Sequence, residues 1–271
     1  MKLQDKFVEI RLSGKALLAT NFYNYETLRA VLEAAKSYGA PLILQLTKSS
    51  IDYMGLENAV AMGRAGLSYF DVEGWIHLDH GGSLELVEQC LNAGFDSVMF
   101  DGSELPFEEN IDLTKKVVAM AKPYGVNVEA ELGYVAKLGQ STEKMALTTP
   151  GDANTFVNAT GVNALAVAIG TAHGFYKNEP KLDFDRLDAI RKATDAFLVL
   201  HGGSGVPDDA IRKAVRLGIC KVNIATEIKN MFTQTLKREL INNEEIDLRK
   251  TFPPAIKAVK ELIEHKLSLV N

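Results

Sequence analysis

Short apolar runs alternate with helical patterns from one end of the chain to the other. Eight of the runs read as strands: ALLATNF (16–22), PLILQLT (41–47), WIHLD (75–79), SVMFD (97–101), NVEAEL (127–132), ALAVAIG (164–170), FLVLH (197–201) and CKVNIA (220–225). They are near-continuous in apolar residues, the pattern of parallel strands covered on both faces. The segments between them follow a helical period. Tyr25 opens one that buries Leu28, Val31, Leu32 and Ala35, and Ser83 caps one carrying Leu84, Val87 and Leu91. Others run from Phe107 to Ala121 and from Asp183 to Lys192, and Pro207 starts the helix of Ile211, Ala214 and Val215. Strand followed by helix, eight times over, predicts an α/β protein of the (βα)8 or TIM-barrel type, close to that fold's usual length of about 250 residues. A doubly wound open sheet is the rival, and the regular repetition favours closure. Residues 3–13 predict an N-terminal extra helix across the barrel bottom, and Ile246 to Leu269 a C-terminal helical tail. No low-complexity linker interrupts the pattern, so 1–271 reads as a single barrel domain.

Composition narrows the partners. The chain has 271 residues, 46% hydrophobic and 24% charged, with a net charge of −5 from interspersed acids and bases. That balance argues against a nucleic-acid groove. No apolar run approaches the ~20 residues of a membrane span. The opening MKLQDKFVEIRLSGKALLAT lacks the unbroken apolar core of a signal peptide. Cys90 and Cys220 lie far apart in apolar patterns and read as buried thiols rather than a disulfide. The expected location is cytoplasmic.

In a (βα)8 barrel the chemistry sits at the C-terminal ends of the strands. Those ends carry Asn21, Thr47, Asp79 with His80, Asp101, Glu131, His173, His201 and Asn223. Three of the five histidines fall there. Neutral imidazole is a common zinc ligand, and a catalytic zinc keeps three protein ligands and an open position. The bland alternative is three histidines that only satisfy loop hydrogen bonds. Glu131 is either a further ligand or a group that orients a histidine. Asp79 and His80 are strand neighbours and should point opposite ways, so both reach the site only if the strand ends between them, before Gly81 and Gly82. His77 lies inside its strand and reads as a core group. His265, among charges on the last helix, reads as solvated.

The stretch "VLHGGSGVPDD" (199–209) places His201 directly before Gly202, Gly203, Ser204 and Gly205. The glycines permit close backbone approach, and the helix starting at Pro207 favours an anion at its N-terminus. Barrels often bind phosphate with the loops after strands 7 and 8, and these are those loops. An ordinary flexible turn is the alternative.

The elements "HLDHGGS", "VEAELG", "AVAIGTAHGFYK", "LVLHGGSGVP" and "KVNIATE", with "YMG", "DGSELPFEENI" and "KLDFDRL", resemble the motifs of class II, zinc-dependent ketose-bisphosphate aldolases of the fructose- and tagatose-bisphosphate type. The resemblance runs from about Ala16 through the C-terminal helix, and GTAHGFYK with KVNIATE looks closest to the tagatose branch. It implies a lyase acting on a phosphorylated ketose, releasing dihydroxyacetone phosphate and an aldehyde. It implies one Zn2+ on His80, His173 and His201 with Glu131 linked to the metal, and Asp79 as acid/base at the C4 hydroxyl. The C1 phosphate would lie on Gly202, Gly203, Ser204, Ala225 and Thr226, with Lys177 adding a charge. Asn21 and Asn223 would hold substrate oxygens, and Thr47 matches a phosphate-contacting serine. Carbonyls near Gly174 and Gly202 match positions that hold a monovalent cation (Na+ or K+). A homodimer or homotetramer is implied. One element departs from the family: where G-G-x-E-D is usual after E-L-G, this chain has Ala136, Lys137, Gly139 and Gln140. The acid that handles the proton at C3 of the triose is therefore missing from its place, and Glu143 is the nearest replacement. This departure keeps open a phosphosugar-binding subunit with little turnover, or an aldolase for a different ketose phosphate. A barrel isomerase or epimerase on the same metal is a further alternative.

Overall fold

The computed structural model describes residues 1–133, 147–176, 178–241 and 243–271. Eight parallel strands, β1 (Leu17–Asn21), β2 (Leu42–Thr47), β3 (Gly74–Gly81), β4 (Ser97–Phe100), β5 (Asn127–Leu132), β6 (Ala164–Val167), β7 (Phe197–Leu200) and β8 (Ile219–Ile224), pair in chain order. β8 returns to β1 and closes the barrel. The outer ring holds α2 (Tyr25–Tyr38), α4 (Leu56–Phe70), α5 (Leu84–Asn92), α6 (Phe107–Ala121), α7 (Pro150–Thr160), α8 (Phe184–Ala193), α9 (Asp208–Arg216) and α10 (Thr226–Ile241). A short α3 (Lys48–Met54) adds a second helix to the β2 connection, and Thr47 caps it by accepting from the Ser50 N–H. Ser83 caps α5 as its sequence promised. Pro207 proves to be the residue before α9 rather than its first. The C-terminal tail is broken in two, α11 (Leu248–Thr251) and α12 (Pro253–Val270), where Pro253 and Pro254 deny α11 further hydrogen bonds.

The strands are apolar runs because their outward side chains meet the helix ring while their inward ones fill the barrel. The outward face belongs to one large core that includes Leu18, Leu44, Ile76, Val98, Leu165 and Val222. The N-terminal helix α1 (Leu3–Ser13) plugs the bottom, where Phe7 and Ile10 pack with Leu17, Ile43, Trp75 and Cys220. Phe7 is fully buried and stacks on Phe197 with centroids 5.0 Å apart. Phe7→Ala should therefore cost about 3–5 kcal/mol, the usual penalty for emptying a buried aromatic site, measured as a drop in the denaturation midpoint. Cys90 and Cys220 are free and buried, and burial pushes the Cys90 thiol up to about 12, so it is not a nucleophile at neutral pH.

Two boundaries differ from the sequence reading for a physical reason. Beyond Val167 the chain leaves the barrel ladder: Ala168 exchanges hydrogen bonds with Thr148, and the Ile169 carbonyl accepts from Asp183. β3 does not end before His80. It is assigned through Gly81, and its pairing with β4 slips between Leu78 and Gly81.

Candidate active site

That slip is what aims two neighbouring side chains into one site. His80 has φ +54°, a left-handed conformation that a non-glycine residue rarely adopts. The backbone twist there turns His80 inward beside Asp79, so the two share the site without the strand stopping. Strain of this kind concentrates at functional sites.

The ring of His80 stands edge-on to those of His173 and His201, which are tilted to each other, with centroids 4.8 to 5.8 Å apart. Two of the rings have one nitrogen held by a carboxylate. Asp101 lies 2.7 Å from His80 Nδ1, which leaves Nε2 facing His173 Nε2 at 3.2 Å. Glu129 Oε1 lies 3.0 Å from His201 Nε2, which leaves Nδ1 facing the centre. Ligand nitrogens on a tetrahedral zinc, with bonds of about 2.0–2.1 Å, stand about 3.3 Å apart. The His80–His173 spacing matches that.

The residues fit a metal on a second observation. Glu131 Oε2 lies 2.8 Å from His201 Nδ1, yet neither atom has a hydrogen-bond partner, because the two are out of line for one. Both are buried. Two buried polar atoms side by side without a hydrogen bond are what a cation would satisfy. Electrostatics agrees. Burial alone would lower the His201 pKa, but the Glu129 hydrogen bond and the Glu131 charge push it up to about 10. Without a metal the two carboxylates thus favour a proton on His201, which a cation held at Nδ1 would displace. His173 goes the other way, down to about 3, through burial and the nearby His80 and His201.

Asp79 sits beside this cluster in a cage of amides. Its Oδ2 accepts from Asn21 Nδ2 at 3.0 Å, and its Oδ1 from Gln45 Nε2 at 3.3 Å and Asn223 Nδ2 at 3.5 Å. Burial pushes its pKa up, but His80, His201, Lys221 and the Asn21 hydrogen bond outweigh burial and hold the carboxyl below its usual range. Asp79 Oδ1 is 3.9 Å from His80 Nε2, beside the three-histidine cluster rather than part of it.

Beneath the site the barrel interior is charged. Lys221 is fully buried and places Nζ 2.7 Å from Glu129 Oε2 and 3.1 Å from His77 Nε2. His77 Nδ1 in turn meets Ser97 Oγ at 2.8 Å. Burial, with Lys221 beside it, pushes His77 down to about 3, so it is a neutral strut. Glu129 thus receives His201 on one oxygen and Lys221 on the other, which fixes the histidine's orientation. Glu129→Gln should weaken metal binding about 10- to 100-fold, the usual cost of losing a carboxylate behind a ligand histidine, as measured by competition with a chromophoric chelator, and should lower the denaturation midpoint because buried Lys221 loses its counter-charge.

A cleft of about 560 Å³ opens over the cluster and is bordered by Asn21, Thr47, Asp79, His80, His173, Gly174, Gly202, Ser204, Asn223, Ala225 and Thr226. Gly202 has φ +65°, and a Cβ there would collide with the Ala172 carbonyl, so the turn requires glycine. Tyr176 braces it: its hydroxyl donates to the Gly202 carbonyl at 2.7 Å and accepts from Ala172 N–H at 2.8 Å. Thr226 opens α10, so its N–H has no intrahelical partner.

Most of the residues picked from the sequence come together here, and one does not. Gly203 turns its N–H onto the Asn223 carbonyl at 3.0 Å and stays out of the cleft. A glycine-rich pattern shows that the backbone turns tightly, not which N–H faces the ligand. Lys177 and the departing loop, with Ala136, Lys137, Gly139, Gln140 and Glu143, lie outside the described residues. His265 is only half-exposed and pairs with Asp208 at 2.9 Å rather than standing free in solvent. Sequence reasoning passed over Gln45, Glu129, Lys221 and Tyr176. The first three had a signal, a polar residue inside a strand otherwise buried on both faces. The cleft also gains Tyr23, Lys48, Ser49, Asp52 and Lys229.

Such a gathering of titratable groups at the carboxyl end of a barrel defines an enzyme of the (βα)8 class. The family model for class-II fructose-bisphosphate aldolases matches residues 1–271, and the chain belongs to that family. It is a lyase of a family that is generally metal-dependent. Among solved structures, the YdjI aldolase from Escherichia coli K12 is 33% identical, with a TM-score of 0.89 over 100% of this chain and 97% of that one. The fructose-bisphosphate aldolase (Fba) from Campylobacter jejuni shares the fold at 22% identity and a TM-score of 0.87, over 99% of this chain and 94% of the other. Among the described residues no helix is long and apolar enough to cross a membrane.

Proposed function

We propose that the protein reversibly cleaves a phosphorylated ketose of the fructose or tagatose 1,6-bisphosphate kind, giving dihydroxyacetone phosphate and an aldehyde. The observation that carries this reading is the amide-caged carboxylate of Asp79 at the edge of the three-histidine cluster, facing a cleft whose other wall is the glycine loop.

His80, His173 and His201 would hold a Zn2+, with Glu131 linked to it. When bound, that ion supplies Lewis-acid chemistry, drawing electron density from the substrate ketone as the carbon–carbon bond breaks. The protein's own groups do the rest. Asp79, kept ionised, takes the proton of the C4 hydroxyl as the C3–C4 bond opens; the bonding pair passes to the half that carries the ketone, whose C3 then takes a proton from solvent, and in condensation the steps run in reverse. Asn21, Gln45 and Asn223 hold that carboxylate in place. Their buried side-chain oxygens have no protein partner, so Asn21 and Asn223, which border the cleft, can also accept from substrate hydroxyls. The C1 phosphate would rest on Gly202 and Ser204 and on the N-terminus of α10 at Ala225 and Thr226, where the Thr226 N–H, which has no intrahelical partner, and the helix dipole favour an anion. A homodimer or homotetramer in the cytoplasm is consistent with the family and with two buried, unpaired thiols.

The test is release of dihydroxyacetone phosphate from a panel of ketose phosphates: the 1,6-bisphosphates epimeric at C4, and longer ketose 1-phosphates. At least one should be cleaved, and removal of its C1 phosphate should abolish cleavage. No triose phosphate from any of them, with tight binding retained, would instead make the protein a phosphosugar-binding subunit.

A further inference from the structure

The glycine loop is tied on its far side to the C-terminal helix. Gly205, at φ +80°, donates its N–H to Glu227 Oε1 at 2.8 Å. Glu227 lies in the first turn of α10, and Lys266 of α12 reaches it with Nζ 3.2 Å from Oε1 and 2.9 Å from Oε2. Lys266 is nearly buried, with 6% of its side chain exposed against 17% for Glu227. A lysine seldom gives up its hydration unless it is paired, and this one is paired to the carboxylate that grips the loop. The same two elements are stitched again through Ser204, whose Oγ accepts from the N–H groups of Ala225 at 3.2 Å and Glu227 at 3.3 Å. α12 is itself anchored at its end, where the Val270 carbonyl accepts from Ala16 at 2.8 Å just before β1.

We propose that Lys266 and Glu227 are positioning residues for the substrate's phosphate group: Lys266 orients Glu227, Glu227 fixes Gly205, and the loop's N–H groups are thereby held toward the anion. The proposal rests on the reading of this loop as the phosphate site. Neither residue touches the reacting atoms. Removing the tie should loosen substrate binding and leave the chemistry of Asp79 and the histidine cluster alone.

The experiment uses the zinc-loaded full chain, isotopically labelled, with inorganic phosphate as the probe and the amide resonances of Gly202 and Ser204, which border the cleft, as the readout. In the parent protein both amides should shift on titration. Lys266→Met should weaken phosphate binding about tenfold, the size of one charge-assisted hydrogen bond, and raise KM for the ketose phosphate with kcat unchanged. Lys266→Arg should restore both. Glu227→Gln, which keeps an acceptor for Gly205 but loses the attraction to Lys266, should fall between them and serves as the test if Lys266→Met does not fold. Phosphate affinity equal to the parent's in a folded Lys266→Met or Glu227→Gln variant, whatever its thermal midpoint, would overturn the proposal. Amides that do not move in the parent protein would overturn the phosphate reading of the loop, and the proposal with it.

Discussion

Asp79→Ala should retain its metal and its substrate affinity and lose turnover by about 10²- to 10⁴-fold, the range seen when a general acid/base is removed. The expectation follows from where the carboxylate sits. It is 5% exposed, it accepts from three amides, and it borders the cleft. Its charge is maintained by His80, His201 and Lys221 against the cost of burial. A group so held is ionised at neutral pH and ready to take a proton, which no neighbouring amide can do. Because it stands beside the three-histidine cluster, its loss leaves those three ligands intact. Asp79→Asn is the sharper variant, since it keeps the shape but places a fourth amide among three. The readouts are kcat at saturating substrate and zinc content by metal analysis. An unimpaired kcat in Asp79→Ala would reassign the base.

His201→Ala should abolish both tight zinc binding and activity. Losing a carboxylate behind a ligand histidine weakens metal binding about 10- to 100-fold, so losing the ligand itself should exceed about 10²-fold. His201 is fully buried and joins Glu129 at 3.0 Å to the open side of the cluster, where Glu131 Oε2 lies 2.8 Å away. Without the ring the cluster keeps only two histidines, and Glu131 Oε2 loses the nitrogen 2.8 Å from it. Lys221 still neutralises Glu129 at 2.7 Å, so the barrel should fold, which far-ultraviolet dichroism checks. Competition with a chromophoric chelator measures the affinity. A parent-like zinc affinity in this variant would place the metal elsewhere.

The barrel was legible because burial on both faces of every strand leaves an apolar run that helical segments do not mimic. What the runs do not disclose is where the ladder stops. ALAVAIG reads as one strand, yet Ala168 and Ile169 pair with Thr148 and Asp183, residues whose approach is a tertiary event. At the site, strand ends alone locate Asn21, Asp79, His80, Asp101, Glu131, His201 and Asn223, because the fold fixes which end carries chemistry. The left-handed turn at His80 was not legible. Its neighbours Gly81 and Gly82 suggested that the strand stops, whereas the backbone instead bulges at a non-glycine residue. Glu129 is one of two acids in β5 and Lys221 the one charge in β8, and only the closure of β5 and β8 around one interior shows that they neutralise each other. Glu227 and Lys266, 39 positions apart on two helices, carry no local signal at all.

The central claim is that this barrel breaks a carbon–carbon bond with a metal held by His80, His173 and His201. The most direct test strips the purified protein with a strong chelator, removes the chelator, and follows dihydroxyacetone phosphate release from the best ketose phosphate as zinc is added back. The account predicts no release from the stripped protein and full recovery at about one zinc per chain, the stoichiometry of a single catalytic site. Undiminished release from protein shown to contain no transition metal would contradict it.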